Sequence, residues 1–301
     1  MTLQKLRPLL FLTVIYTILV ILWGAWVRIS HSGDGCGDTW PLCHGQLIPD
    51  AQRAKTWVEY AHRLMSGLYG ILGVFIFLQS RKVFPEGHRS RKYASWFLFF
   101  CILEALLGAN IVLFKLVGTN DTFFRALVIG VHQINSLLLT GVASLLFLTS
   151  SEDFAKPPLR FSDSALIKFN LFLLLGMAGA WAALSSTLYP AENFAESFRH
   201  ELAEGAPLMM RLRSLHPIFA VLYGTFICVW LYKSFSIAEG FLKNAYLQTC
   251  ALWAFAILVG MLTLLLGSPL VLKLTHLLLA HLIWISLLRI FYLRDQFLIK
   301  S

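Results

Sequence analysis

His62-Arg63-Leu64-Met65-Ser66-Gly67-Leu68-Tyr69-Gly70 and His216-Pro217-Ile218-Phe219-Ala220-Val221-Leu222-Tyr223-Gly224 share one frame: a histidine, six residues, then Tyr-Gly. Each frame opens an apolar stretch long enough to cross a bilayer, which takes about 20 residues. A second echo pairs Leu107-Gly108 with Val259-Gly260, each leading through a turn to a further histidine, His132 and His276. Working outward from these echoes, the apolar windows predict an all-α membrane protein of eight transmembrane helices, near residues 9–29, 57–79, 94–115, 124–149, 165–187, 212–234, 244–267 and 271–293. The repeat groups them as two four-helix bundles, residues 1–155 and 156–301. The boundary falls near 150–164, a charged stretch with two prolines and no apolar run.

Composition supports the same class. With 57% hydrophobic and 14% charged residues, and a mean hydropathy of +0.69, the chain has too little polar surface for a soluble globule of 301 residues. The net charge of +9 does not point to nucleic acid. Most of the basic residues fall in short connections on one side, where lipid orientation accounts for them, and this places both termini at the cytoplasmic face. The N-terminus shows no Arg/Ser-rich leader and the first span has no convincing cleavage site, so a retained span in a bacterial plasma (inner) membrane is expected.

With that orientation the spans that start at the outer face are the second, fourth, sixth and eighth, and they carry His62, His132, His216 and His276 at similar depth. Imidazole in hydrocarbon is costly unless neutral and bonded, so four copies in one layer point to two axial pairs, each holding a heme iron between helices. A lone intramembrane histidine is as readily a contact between helices; the repetition favours ligation. Zinc is less suited, because each half offers only two such histidines. His281 lies five residues beyond His276, about 140° around the helix, and is read as a non-ligand. His31, His44, His88 and His200 fall in loops and are expected to be solvated.

Glu59 precedes His62 by three residues and shares its helical face. It is either a first-turn acid stabilised by the helix dipole or a group that accepts a proton or stabilises charge beside a porphyrin. Arg63 pairs either with a porphyrin propionate or with Glu59. Glu104, a second intramembrane acid, reads best as a neutral carboxyl hydrogen-bonded between helices. Cys36 and Cys43 flank a six-residue stretch in the first outer loop and, on the oxidising side of a membrane, read as a disulfide worth about 2 to 3 kcal/mol by loop closure, with a redox-active pair the secondary reading. Cys101, Cys228 and Cys250 lie within spans, where buried structural thiols are expected. The long outer loops, about 30–56 and 188–211, both precede a histidine-bearing helix.

Gly35-Cys36-Gly37, Trp40-Pro41-Leu42-Cys43-His44-Gly45, Glu59-Tyr60-Ala61-His62-Arg63 and the three later histidine spans together resemble the heme A synthase family over nearly the whole chain. The resemblance implies an eight-helix oxidoreductase that converts heme O to heme A, taking one porphyrin methyl to a formyl for aa3-type cytochrome oxidases. It implies that His62 and His132 bind the substrate heme, that His216 and His276 hold a heme b, that Glu59 is the catalytic carboxylate and that Cys36 and Cys43 are the outer-loop cysteine pair. Expected partners are heme O, a heme O synthase, cytochrome oxidase assembly proteins and an electron donor or acceptor. Two features depart from the family pattern. Residues 188–211 lack the second cysteine pair of some members, and Pro217 stands where the first half has Arg63. An iron with two histidine ligands has no open position for dioxygen unless one leaves, so a second-half heme that relays electrons fits better than iron-bound oxygen chemistry. Two other readings use the same spans: a diheme cytochrome b that passes electrons without altering its heme, and a cofactor-free transporter or assembly scaffold.

Overall fold

The computed structural model describes residues 2–49, 52–151, 162–191, 193–235 and 240–298. The described residues form ten helices and no strand: α1 (Leu3–Ile29), α2 (Ala54–Val83), α3 (Arg89–Leu113), α4 (Phe123–Thr149), α5 (Asp163–Leu188), α6 (Phe194–Leu202), α7 (Leu208–Leu212), α8 (Leu215–Phe235), α9 (Gly240–Leu265) and α10 (Leu270–Leu298). Eight segments among them are long and apolar enough to cross a membrane, the sixth running through α7 and α8 from Leu208 to Phe235. The spans outreach the predicted windows because polar turns prolong them, as with Arg81 and Lys82 at the end of α2. The linker between the predicted halves lies mostly outside the described residues.

The helix starts follow from capping chemistry. Thr122 Oγ1 accepts the Arg125 N–H, Ser162 Oγ the Ala165 N–H and Asn193 Oδ1 the Glu196 N–H, each satisfying a donor that the first turn leaves unpaired. His88 performs the same role for α3. Its Nδ1 accepts the Ser90 N–H at 3.1 Å while its ring, 7% exposed, stacks on Phe84. The expectation of a solvated His88 is therefore corrected, because a free N–H at a helix start needed an acceptor.

α4 lies at the centre, packed against α1, α3, α5 and α10, and α10 in turn packs on α9, α4, α1 and α5. One apolar core joins α1 to α4 around Leu6, Tyr69, Ile76, Phe97 and Leu146. Another joins α5, α8, α9 and α10 to the flank of α4, where Phe172 stacks on Trp284 at 5.3 Å. The seam between α4 and α10 is close because Gly141 lacks a side chain: a Cβ there would lie 2.7 Å from Trp284 Nε1, which donates to the Leu137 carbonyl. His281 is fully buried in this seam with Nδ1 3.0 Å from Thr140 Oγ1. Cys101 is buried as expected, whereas Cys228 and Cys250 are exposed on the apolar surface, a correction to their reading as core thiols.

Candidate functional site

The histidines of α8 and α10 come together. His216 and His276 have ring centroids 5.9 Å apart with planes at 86°. Two imidazoles joined through one metal, at ~2 Å per metal–nitrogen bond plus the ring radii, would stand about 6 Å apart. Each ring rests against a glycine of the neighbouring helix: a Cβ on Gly179 would lie 3.0 Å from His216 Cε1, and one on Gly260 3.0 Å from His276 Cε1. Both Nδ1 atoms are buried with no hydrogen-bond partner. Each imidazole also lies against the backbone of that neighbouring helix, His216 at Leu175 and His276 at Ala256. A carbonyl beside one ring nitrogen is what orients a metal-ligating histidine and leaves its other nitrogen free.

The first half repeats the arrangement with one change. A Cβ on Gly24 would lie 2.9 Å from His62 Cε1, and the Nδ1 atoms of His62 and His132 are again buried and unpartnered. His62 and His132 lie within electrostatic reach of each other. Gly108, however, has nothing near the position of a Cβ. His132 instead faces Glu104, its Nδ1 3.6 Å from Oε2. The Glu104 carboxyl accepts from Asn135 Nδ2 and Ser136 Oγ, so it bridges α3 and α4. Glu104 stands four residues before Gly108, and the residue four before Gly260 is Ala256. A carboxyl therefore flanks the first pair where the second pair has a methyl group.

These residues fit the group that the sequence led us to expect. Each of the four imidazoles keeps a buried Nδ1 without a hydrogen bond, and one pair is already at bridging distance. Among the described residues no three His, Cys, Asp or Glu side chains cluster as metal ligands. A porphyrin supplies four ligands of its own and asks the protein for only two.

Glu59 is held from two sides. Its Oε2 accepts the Cys36 N–H at 2.8 Å and its Oε1 accepts from Arg63 Nε at 3.1 Å and Nη2 at 2.5 Å, leaving the residue 3% exposed. Arg63 Nη1 also donates to the carbonyls of Thr39 and Leu42, inside the loop that the Cys36–Cys43 disulfide closes. Glu59 and Arg63 thus fasten the first outer loop onto α2, a role additional to both readings of Glu59, and Arg63 pairs with the acid. Gly35 makes this possible, since a Cβ there would lie 2.6 Å from the Lys55 carbonyl. His44, expected as a free loop histidine, is bonded through Nε2 to the Gly35 carbonyl at 2.9 Å. At the exposed rim, the Lys115 ammonium 3.0 Å from Asp38 holds that carboxyl below the usual carboxylate range.

The second outer loop has no cysteine and is fastened by charge. Arg213 Nε donates to Glu201 Oε1 at 2.6 Å, its Nη2 to the Ser197 carbonyl at 3.2 Å, and Ser214 Oγ to Glu201 Oε2. The part that Gly24, Gly179 and Gly260 play in seating the rings was missed in the sequence. A signal was there: Gly24-Ala25-Trp26 recurs as Gly179-Ala180-Trp181 at the matching place of α5.

Fold and site together define a polytopic helical membrane protein with paired intramembrane histidines beneath a disulfide-closed loop. The cytochrome oxidase assembly protein family COX15-CtaA matches residues 7–288, and the chain belongs to this family. A relative named Protoheme IX farnesyltransferase, from Thermus thermophilus, is 35% identical over 278 residues, 90% of this chain and 45% of its own length. Relatives named Heme A synthase include one from Symbiobacterium thermophilum, 41% identical over 110 residues (36% of each chain), and one from Geobacillus thermodenitrificans, 33% identical over 140 residues (46% of this chain, 43% of the relative). The matches span about half the length, or less, of these curated relatives.

Proposed function

We propose that this protein is a heme A synthase, an oxidoreductase that takes the methyl group of heme O to the formyl group of heme A for aa3-type cytochrome oxidases. The observation that carries the reading is the set of four imidazoles that each keep a buried Nδ1 without a hydrogen bond, three of them seated on glycines and two facing each other across 5.9 Å. Family membership and the relatives named Heme A synthase support the activity.

In this reading residues 1–155 form a substrate half, with His62 and His132 holding heme O, and residues 156–301 form a cofactor half, with His216 and His276 holding heme b. A heme bound there supplies reversible one-electron transfer. Glu59 presents its carboxylate on the helical face of His62, where it stabilises positive charge or accepts a proton at the substrate methyl. Arg63 and the Cys36 N–H keep that carboxylate oriented. The disulfide loop covers the start of α2 and limits water near the acid. The matching contacts Gly24 to His62 and Gly179 to His216 support the two halves as repeats.

The protein is placed in a bacterial inner membrane with both termini cytoplasmic, the histidine layer lying near the outer face. Heme O is the substrate, and a heme O synthase is a natural partner: the Thermus relative that carries a farnesyltransferase name has more than half of its length outside the match. Cytochrome oxidase assembly proteins and an electron carrier complete the expected partners.

A reduced-minus-oxidised spectrum with porphyrin extraction, on the wild type and on Ala variants of each of the four histidines, tests the assignment. Two hemes should be present, heme O or heme A should be among the extracted porphyrins, and each variant should lose one heme. Extraction of heme b alone would leave a diheme cytochrome b, and a colourless protein would leave a scaffold or carrier.

A further inference from the structure

At the end of the bundle that carries the disulfide loop, Arg28 lies within electrostatic reach of a cation from each half, Arg125 and Lys273. Arg28 closes α1 one turn beyond Gly24, the residue that seats His62, and Lys273 lies on α10 three residues before His276, about one helical turn from it. Arg125 is on α4 and 4% exposed. Arg28 and Arg125 repel each other, as do Lys273 and Arg28. Arg28 Nη1 has no accessible surface and no hydrogen-bond partner, and the same holds for Arg125 Nε. Arg125 Nη1 is engaged by the carbonyls of Gly118 and Asn120. Among the described residues no ion pair joins Asp or Glu to any of the three. Lys273 lines a cavity of about 280 Å³ whose other walls include His31, Ser186, Thr187, Asn193 and Ser268. Arg213 borders it too, but Glu201 neutralises that guanidinium.

Like charges gathered at the edge of hydrocarbon, with buried N–H groups unspent, are costly unless an anion completes them. The cavity offers room for one: it is lined by hydroxyl and amide groups and by Lys273, which stands about one helical turn from His276. We propose that Arg28 and Lys273, with Arg125 behind them, form an oxyanion site at the junction of the halves that binds the carboxylates of a porphyrin seated on the histidines. The site rests on the heme reading above and adds to it the residues that choose the orientation of the ring. With propionates held at this end, the opposite edge of the porphyrin points toward the middle of the membrane. An anionic lipid headgroup presents similar oxygens, and the experiment separates the two.

Protein purified from heme-limited cells is titrated with protoheme IX and with its dimethyl ester, which keeps the iron and removes both negative charges, and the Soret band is followed. In neutral phosphatidylcholine the wild type should bind protoheme at least about tenfold more tightly than the ester, the loss expected for charge-assisted hydrogen bonds. Lys273→Met and Arg28→Gln should weaken protoheme and leave the ester unchanged, and Lys273→Arg should retain the preference. Equal affinity of the wild type for both porphyrins, or variants that weaken both alike, overturns the carboxylate site while leaving heme binding intact. A charge dependence that appears only when phosphatidylglycerol is present assigns the site to lipid and overturns it too. Absence of any Soret band in the wild type overturns the heme reading itself, and the site with it.

Discussion

At the residue scale, Glu59 and Glu104, the intramembrane acids of the first half, have different jobs. Glu59 is locked to Arg63 and to the loop, with side-chain exposures of 4% and 9% for the pair. Removing one partner of such a buried pair strands the other, so Arg63→Ala should cost about 3 kcal/mol and lower the melting temperature in a thermal denaturation assay. Glu59→Gln keeps an acceptor for the Cys36 N–H but leaves the Arg63 charge without its counter-ion, so it should also lower the melting temperature, and it should lose heme A formation; normal heme A yield with both hemes bound would remove Glu59 from the chemistry. Glu104 sits beside His132 where the second half has Ala256. A carboxyl oxygen beside a ligating imidazole raises its basicity, so Glu104→Leu should raise the midpoint potential of the first-half heme in a redox titration and leave the other unmoved. The seating glycines give a steric counterpart. Gly260→Ala brings a methyl to 3.0 Å from His276 and should cost occupancy of the second heme, whereas Gly108→Ala meets open space and should be silent in the same spectrum. The four histidines and Glu59 stand out as candidates in the sequence because polar groups of that kind are rare in apolar spans. Their seats do not, since a glycine shows its purpose only when the neighbouring helix is in place.

At the scale of elements, each of the eight predicted spans has a counterpart helix, because an unbroken apolar run leaves few alternatives. Two features were illegible. The sixth span breaks at Arg213 and Ser214, since Pro217 has no N–H to give the Arg213 carbonyl and its ring crowds that carbonyl. The apolar pattern continues through the break and hides it. The second outer loop carries α6, nine residues begun by the Asn193 cap, too short and too polar for any span window. In the first loop the disulfide closes what Arg63 fastens. Cys36→Ser should cost about 2 to 3 kcal/mol and open the loop to limited proteolysis. The exposed Asp38–Lys115 pair is minor by comparison. Its carboxyl is depressed, so its contribution is present above the ordinary carboxylate range, fades as pH falls through the lowered value, and should vanish in high salt.

At the scale of the whole molecule, the sequence repeat predicts two four-helix bundles, and α4 and α10 also pack directly on each other across the boundary between them. α4 holds one histidine of the first pair and α10 one of the second, and the two helices share the seam of Thr140, Gly141, His281 and Trp284. Nothing in a hydropathy pattern encodes that contact, because both faces are as apolar as lipid. The consequence is mechanical: the inner walls of the two chambers proposed to hold porphyrin are one partition. A bulky wedge such as Gly141→Val should therefore disturb the absorption of both chromophores together, whereas damage on α2 or α8 should tint only its own. Partners that press on α4 or α10 would be felt on both sides of the wall at once.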